Sequence, residues 1–600
     1  MRRGLLVGVL GGALLLGGVA GCGIPENSEV RVDGPGPAAE GGSTSGSRGV
    51  PPTRTSSGSR EEFVQNFLSA AAGEPGKAYE RVRNFIDPAY RGRLQEKQNS
   101  EIALTVVRLT EAPVIIPGPE TTSVTLNVQH VGQLRADGVL APPEISTPKY
   151  QFELRSPAGQ EGKPDAGLFV AEPPNVLLLS VEALDAYYQS RTVYFWNADR
   201  TRLVPDQRYL PLAVPDERRV SEVVRWLTDG PSAWLDNAVS GLPGNTRLIN
   251  NATRTDGRWE VNLEMPDDKV QLEQLGAQLA WSLTDLDGQL ELKIRNQSRT
   301  VIPDLEAHRA ARPIHQITQS PQRFCVYEGT VHPLEYAGEP VGPVPVVAKA
   351  NKDVVSAGFS RAGEEILAAL VVTGPGRRQH LSVGTGVDPV TIFTRSPGRG
   401  YGAMSRPVWL RSADARQPVG LVVADGNLYR FDARAQLAPV ALGVPAPVTA
   451  VAASLDGHRL AVIAGGSLYV VALSPDGGGV TPGPARRLAT SLTNLSAVDW
   501  YGENSLILAG SVGRPAVYEM SVDGARETRL DENIGARVTH LAAYPASPPV
   551  APLGVAMFEA NGVSYRSSPV ERIQREQVQG VDTPPDGVRA GNPTAPFFLY

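Results

Sequence analysis

Hydrophobic residues recur at helical spacing directly after residue 59. Ser59 and Glu62 have the spacing of a capping box, in which each side chain satisfies a free amide at the start of a helix. The apolar positions that follow share one helix face: Phe63, Val64, Phe67, Leu68 and Ala71. A second helix is predicted over residues 77–85, and β-type patterns follow at 103–107, 123–128, 150–154 and 193–196. This order predicts an α+β domain over residues 60–200.

The next segment, residues 201–300, alternates strand and helix patterns more regularly. Apolar residues lie on one face of each of two predicted helices: Val220, Val223, Val224 and Leu227 in the first, and Leu272, Leu275, Leu279 and Leu283 in the second. Asp229-Gly230-Pro231 ends the first helix, and Asp256-Gly257 is typical of a hairpin turn. The resulting βαββαβ order predicts a second α+β domain, followed by a linker over residues 301–322 with a short helix near His308.

After the linker the helical pattern ends and a repeat takes over. Ala424-Asp425-Gly426-Asn427-Leu428-Tyr429 recurs as Ala464-Gly465-Gly466-Ser467-Leu468-Tyr469, and weaker copies occur near residues 373, 510 and 561. An apolar strand precedes each copy, and the spacing of 40–52 residues is that of a four-stranded propeller blade. The sequence predicts an all-β C-terminal propeller over residues 323–600 with five or six blades. A sixth blade would combine residues 325–347 with the end of the chain and close the ring.

The start of the chain has the pattern of a secretory signal. Arg2 and Arg3 precede a short apolar run, and Val19-Ala20-Gly21 supplies the small residues of a cleavage site over residues 1–21. Cys22 follows at once, so the motif resembles a bacterial lipobox, whose cysteine thiol accepts a diacylglycerol. The alternative is a plain signal peptide with an incidental cysteine. Residues 22–59 are rich in Gly, Pro and Ser, which predicts a lipidated cysteine followed by a disordered tether.

Composition narrows the classes of function. The 600 residues carry a formal net charge of −6, which becomes −8 without Arg2 and Arg3, and this balance argues against a nucleic-acid binder. Two cysteines are present, so a lipidated Cys22 leaves Cys325 without an intramolecular partner. We therefore expect a fold without disulfides, with Cys325 as a small buried apolar residue rather than a nucleophile.

Motifs for catalysis or metal binding are not evident. The sequence has no Gly-x-Ser-x-Gly elbow, P-loop or His-Glu-x-x-His motif, and His308 and His315 are poorly spaced for zinc. Asp285-Leu286-Asp287-Gly288 partly resembles a calcium loop but is interpreted as a helix end and a turn. The tryptophans at helical spacing in the second domain are expected in its core, and the two in the blades are expected to pack between blades: Trp226, Trp234, Trp281, Trp409 and Trp500. No catalytic, cofactor-binding or metal-binding residue is predicted.

Longer strings of residues carry a family resemblance. Leu-Thr-Asp-Gly-Pro at 227–231 and Gln-Leu-Ala-Trp-Ser-Leu at 278–283 resemble the GerMN domain of exported bacterial proteins. Together with the lipobox, the propeller repeats, and the strings 177–180, 193–196 and 203–211, nearly the whole chain resembles the LpqB family of actinobacterial lipoproteins. The resemblance implies Cys22 as the lipidation site, with N-palmitoyl and S-diacylglycerol groups, on the extracytoplasmic face of the cell membrane. It also implies a partner, the extracytoplasmic sensor domain of an MtrB-like histidine kinase.

Three hypotheses about function follow. The first is a non-enzymatic accessory of a two-component system of the MtrAB type that controls cell envelope and division. The second is an extracytoplasmic binding protein for a cell-wall fragment or small ligand in the propeller channel, and the third, ranked last, is a propeller-based hydrolase. Three or more converging His, Asp, Glu or Ser side chains at the propeller mouth would favour the enzyme.

Overall fold

The fold was analysed in a computed structural model of the chain. It describes residues 49–98, 101–144, 147–157, 167–312, 314, 320–339, 341–411, 417–476, 479–546, 554–582 and 590–599. The predicted signal, Cys22 and most of the predicted tether lie outside these ranges.

The N-terminal domain packs helices against a seven-stranded sheet of order β6-β5-β3-β1-β7, in which β2 and β4 also pair with β3. Its elements are α1 Arg60–Ser69, α2 Ala78–Phe85, β1 Ala103–Leu109, β2 Val114–Pro117, β3 Thr122–Arg135, β4 Leu140–Ala141, β5 Lys149–Arg155, β6 Phe169–Ala171, β7 Leu177–Ser180 and α3 Val181–Tyr187. Both helices predicted at the start of the domain are present, so the α+β class is confirmed.

The start of α1 follows the predicted chemistry with one difference. Ser59 Oγ accepts a hydrogen bond from the backbone N–H of Glu62 at 3.1 Å, as expected of an N-cap. The Glu62 carboxylate instead accepts from the backbone N–H of Gly58, one residue before the cap. The predicted apolar face of α1 is buried in the domain core.

The predicted tether boundary at residue 59 needs correction. Gly49 is buried, with its Cα against Leu212 and Ala213, and the Arg54 guanidinium lies 4.1 Å from the ring centroid of Phe169. Residues 49–59 are therefore packed on the folded domains. Composition predicted disorder here because it reports only local sequence, whereas the described partners of Gly49 and Arg54 lie more than 100 positions away.

The second domain, called the central domain below, contains two sheets, β10-β8-β9 and β11-β13-β14-β15, with β12 paired to β13. Its elements are β8 Tyr188–Asn197, β9 Leu203–Pro211, α4 Asp216–Asp229, β10 Val239–Ser240, β11 Arg247–Leu248, β12 Thr253–Thr255, β13 Arg258–Glu264, α5 Lys269–Ser282, β14 Gln289–Ile294, β15 Gln297–Ile302 and α6 Leu305–Ala311. Both predicted helices and the Asp256-Gly257 turn are present.

The boundaries of the central domain differ from those predicted. β8 pairs with β9 and β10, so the strand at 193–196 belongs to this domain rather than to the preceding one. At the other end, β15 and α6 extend the domain through residues assigned to the linker. Sequence reasoning missed β15 because its residues are mostly exposed and its turn, Arg295-Asn296, reaches positive φ without glycine. Leu305 is fully buried, which fixes α6 on the domain.

The C-terminal domain is built of short antiparallel sheets. Its strands are β16 Gln322–Tyr327, β17 Thr330–Pro333, β18 Val354–Ala362, β19 Glu365–Thr373, β20 Gln379–Val387, β21 Thr394–Arg395, β22 Val408–Trp409, β23 Val419–Ala424, β24 Asn427–Asp432, β25 Leu437–Pro439, β26 Val448–Ala453, β27 Arg459–Ala464, β28 Ser467–Asp476, β29 Gly479–Pro482, β30 Arg486–Leu488, β31 Thr493–Gly502, β32 Ser505–Val512, β33 Arg514–Ser521, β34 Glu527–Asp531, β35 Val538–Tyr544, β36 Val555–Ala560, β37 Val563–Arg566, β38 Glu571–Arg572 and β39 Thr594–Leu599.

These strands form a closed propeller. Five blades begin with β18, β22, β26, β31 and β35, and a sixth has the order β39-β16-β17, in the part of the chain that the structure describes. Each inner strand contacts the inner strand of the next blade, and β39 contacts both β35 and β18, which closes the ring. The predicted closure by the two ends of the domain is confirmed, and the blade number is six.

The blade tryptophans pack between blades as predicted. Trp409 Nε1 donates to the carbonyl of Gly358 in the preceding blade at 3.1 Å, and Trp500 Nε1 donates to Ala452 in the same way at 3.3 Å. Both indoles are buried. They therefore join neighbouring blades instead of forming a ligand platform.

Candidate functional site at the domain junctions

An ion pair links two non-adjacent blades of the propeller. Arg406, just before the inner strand of the second blade, lies 2.7 Å from Asp499 on the inner strand of the fourth blade. Asp499 also accepts from the backbone N–H of Ala543 at 2.9 Å, and burial raises the pKa of its carboxyl although Arg406 opposes this. Burial and the charge of Arg406 lower the pKa of His540 to about 3. Its Nε2 lies 2.9 Å from the carbonyl of Pro596. These groups serve to join the inner strands.

The described residues that were considered for metal chemistry do not form a metal site. Asp285 accepts a hydrogen bond from Arg191 at 2.7 Å, while the side chain of Asp287 is 93% exposed, so this segment is the helix end and turn that was predicted. His308 lies beside Arg312, and His315 is outside the described residues. Within the described ranges, no group of three or more His, Cys, Asp or Glu side chains could hold a metal ion.

Cys325 and the central tryptophans are structural. Cys325 is fully buried in the sixth blade, and burial raises the pKa of its thiol, which disfavours the nucleophilic thiolate. Trp226 and Trp281 are buried in the central domain, as predicted. Trp234 is half-buried and packs against both the central core and the propeller, so the prediction that it belongs to one core is only half right.

A buried polar network joins the central domain to the propeller. Tyr194 donates its hydroxyl to both oxygens of Glu503 at 2.9 and 3.0 Å. Asn504 donates to Thr192 Oγ1 at 2.9 Å. Arg459 reaches the carbonyl of Pro205 at 3.4 Å while it pairs with Asp456 of its own blade at 2.8 Å. These bonds run from β8 and β9 to residues at the ends of strands in two adjacent blades. They therefore fix the orientation of the central domain relative to the propeller.

Glu503 is a buried acid of this network with a perturbed pKa. Burial raises the pKa of its carboxyl to about 7, with a smaller contribution from the charge of Asp456, while Arg459 and the Tyr194 hydroxyl act in the opposite direction. A group with this pKa changes charge near neutral pH inside a domain interface.

Glu503→Gln is expected to remove a pH dependence of stability. Between pH 4.5 and about 7, Glu503 of the parent is protonated in the folded state but deprotonated in the unfolded chain. The free energy of unfolding therefore falls as the pH rises through this window, and it stays low at higher pH. The variant should therefore be more stable than the parent at pH 8, by up to about 3 kcal/mol, and similar to it near pH 4.5. Thermal unfolding across this range measures the difference.

Glu532→Gln is the control for this experiment, because its side chain is 50% exposed and lies in the same blade. A stability difference between Glu503→Gln and the parent that is constant with pH would contradict the assignment.

A second junction joins the N-terminal domain to the fourth blade. Arg108 donates to the carbonyl of Gly524 at 2.8 Å and lies 3.6 Å from Glu527. Gln129 donates to the carbonyl of Thr490 at 2.8 Å. Sequence reasoning missed both junctions, and the available signal was weak: polar residues such as Arg108 and Gln129 within otherwise apolar strands.

A cavity of about 130 Å³ lies between the N-terminal and central domains. Leu104 and Leu134 line it from the N-terminal sheet, and Val214 and Trp226 line it from the central domain. Charged residues from both domains surround its mouth: Glu74, Arg135, Arg218 and Glu222. The arrangement can receive one small apolar group next to fixed charges.

No helix in the described residues combines the length and the apolar character needed to cross a bilayer.

Comparison with known proteins supports the domain assignment. Residues 334–554 match the family model described as the lipoprotein LpqB beta-propeller domain, and residues 192–300 match the model described as sporulation and spore germination. Lipoprotein LpqB of Rhodococcus opacus is 24% identical over 78% of this chain and 80% of its own length.

Two further relatives carry the same name. Lipoprotein LpqB of Mycolicibacterium smegmatis is 25% identical over 95% of this chain and 97% of its own length. Lipoprotein LpqB of Thermobifida fusca is 25% identical over 64% of this chain and 70% of its own length. The chain is therefore similar to the LpqB lipoproteins, as its sequence resemblance predicted, and has a β-propeller of the LpqB type behind a GerMN-type domain.

Proposed function

We propose that this protein is a lipid-anchored extracytoplasmic accessory of a two-component system, which contacts the sensor domain of an MtrB-like histidine kinase and acts without catalysing a reaction. The relatives named lipoprotein LpqB support the anchored state. Cys22 is the proposed acceptor of the lipid. Through this contact the protein would regulate cell envelope growth and division.

The observation that carries the proposal is the buried bonding among the three domains. The central domain is fixed on the propeller by hydrogen bonds between Tyr194 and Glu503 and between Arg459 and Pro205. The N-terminal domain is fixed on the same propeller by the hydrogen bond from Arg108 to Gly524. Because a rigid surface loses little entropy on binding, such a body is suited to recognising a partner protein. The buried ion pair between Arg406 and Asp499, which links the inner sides of two non-adjacent blades, gives less support to a ligand in the channel.

Anchoring makes a weak contact sufficient. A coil of the length between Cys22 and Gly49 would reach roughly 30 Å, which places the folded body near a sensor that projects from the same bilayer. Confinement to one surface raises the effective concentration of the partner toward the millimolar range. A dissociation constant of about 10 µM in solution would then give high occupancy.

Titration of the purified sensor domain against the soluble body from residue 49 onward tests the proposal. We expect saturable binding with a dissociation constant of about 10 µM or below, and no binding of a sensor domain from an unrelated kinase. Depletion of the lipoprotein should also change the output of the kinase. Absence of binding up to about 100 µM, together with unchanged kinase output, would exclude this function.

A further inference from the structure

The cavity between the N-terminal and central domains has the size of a small-molecule site. Its volume of about 130 Å³ is close to that of engineered apolar cavities that bind benzene. Much of its lining is apolar and includes Leu104, Leu134, Val214 and Trp226. Composite cavities at domain interfaces are common places for ligands, because two domains together can enclose what neither encloses alone.

The acids at the mouth of the cavity are already paired with arginines. Glu74 of the N-terminal domain lies 2.7 Å from Arg218 of the central domain, so this ion pair spans the mouth. Glu222 lies 2.7 Å from Arg225 on the same helix. Both negative charges of the lining are therefore compensated.

Arg135 is the remaining charge. Among the described residues, no acidic side chain lies within 4.0 Å of its guanidinium, and the residue is exposed at the mouth. Its backbone is fixed by a turn in which Gly138 N–H donates to the Arg135 carbonyl at 3.0 Å and the Gly138 carbonyl accepts from Tyr209 N–H at 2.8 Å. Gly138 has φ +78° and lies against the Trp226 indole, where a Cβ would come within 2.9 Å. The turn thus holds Arg135 beside the apolar cavity.

We propose that this cavity binds a small carboxylate whose apolar body, an aromatic ring or a branched alkyl group, fills the space beside Trp226 while its carboxylate pairs with Arg135. The ligand is of benzene size, since the cavity admits little more. An amine would place a second positive charge beside Arg135 and is disfavoured. The site is independent of the proposed contact with a kinase.

Binding across the two domains has a thermodynamic consequence. The ligand contacts Leu134 and Arg135 of one domain and Val214 of the other, so it binds the assembled junction and not the unfolded chain. Occupancy therefore raises the melting temperature with increasing ligand concentration.

The test uses the soluble body with benzoate, toluene and benzylamine as probes, monitored by ligand-observed NMR and thermal unfolding. We expect benzoate to bind most tightly, toluene more weakly and benzylamine least. Arg135→Gln should weaken benzoate about two- to fivefold and leave toluene unchanged, since an exposed ion pair is worth little. Arg60→Gln, an exposed arginine away from the cavity, should change neither.

Two further variants test the location of the site. Val214→Phe fills the cavity and should abolish binding of both benzoate and toluene, while Leu134→Ala enlarges the cavity and should admit a naphthoate. The proposal would be overturned if benzoate bound equally well to the parent, to Arg135→Gln and to whichever cavity variant folds. It would also be overturned if none of the three probes bound to the parent.

Discussion

Replacing Arg459 with alanine is expected to lower the free energy of unfolding by about 3–5 kcal/mol, the range measured when one partner of a buried ion pair is removed. The Arg459 guanidinium is 1% exposed and lies 2.8 Å from the Asp456 carboxylate, whose own side chain is 2% exposed. It also donates to Asn504 at 3.0 Å and to the carbonyl of Glu503 at 2.7 Å. The variant leaves these buried acceptors without their charged donor and weakens the bond across the domain interface.

Chemical denaturation and hydrogen exchange measure this effect. Exchange should accelerate most in β8 and β9, the strands of the central domain that face Arg459. Arg529→Ala is the matched control, because Arg529 also pairs with an acidic side chain in the propeller but is 65% exposed, so only a small loss is expected. Equal losses in the two variants would show that the buried network does not stabilise the junction.

Cys22→Ser is expected to abolish attachment to the membrane. The serine hydroxyl is a far weaker nucleophile than a thiolate, so the acyl-transfer chemistry proposed for Cys22 cannot proceed. Without its lipid the protein would have no proposed anchor and should move from the detergent phase to the aqueous phase on phase partitioning. The domains should still fold, since residues 49 onward carry the described packing.

Cys325→Ala controls for the loss of a cysteine as such. Cys325 is buried in the sixth blade, so this variant should still partition into the detergent phase. If Cys22→Ser partitions as the parent does, then Cys22 is not the anchor. If it partitions into water but still regulates the kinase fully, then confinement to the membrane is not needed for function.

Local pattern was enough to predict most elements of the fold. The apolar faces of α1, α4 and α5 are visible as periodic residues because each helix buries one side against a core. The propeller was predictable because one blade repeats along the chain, so turns such as Asp425-Gly426 recur at nearly constant spacing. Closure of the ring was also foreseeable, since the strands at the two ends of the domain do not make a complete blade separately.

Local pattern failed where stability depends on partners far away in sequence. The stretch from Gly49 to residue 59 looks disordered by composition but is packed on Leu212 and Phe169. β15 has few apolar residues of its own, and it forms a strand because it pairs with the edge of β14.

The amino-acid sequence by itself determined most of the secondary structure, the three-domain order, the propeller and the resemblance to LpqB. Only the tertiary structure decided where the domains touch: Tyr194 meets Glu503 across 309 positions, and Arg108 meets Gly524 across 416. The cavity beside Arg135 likewise exists only once two domains meet. The physical reason is that helix and strand patterns arise from neighbours within a few residues, whereas a buried polar bond or a composite cavity depends on the final packing of distant segments.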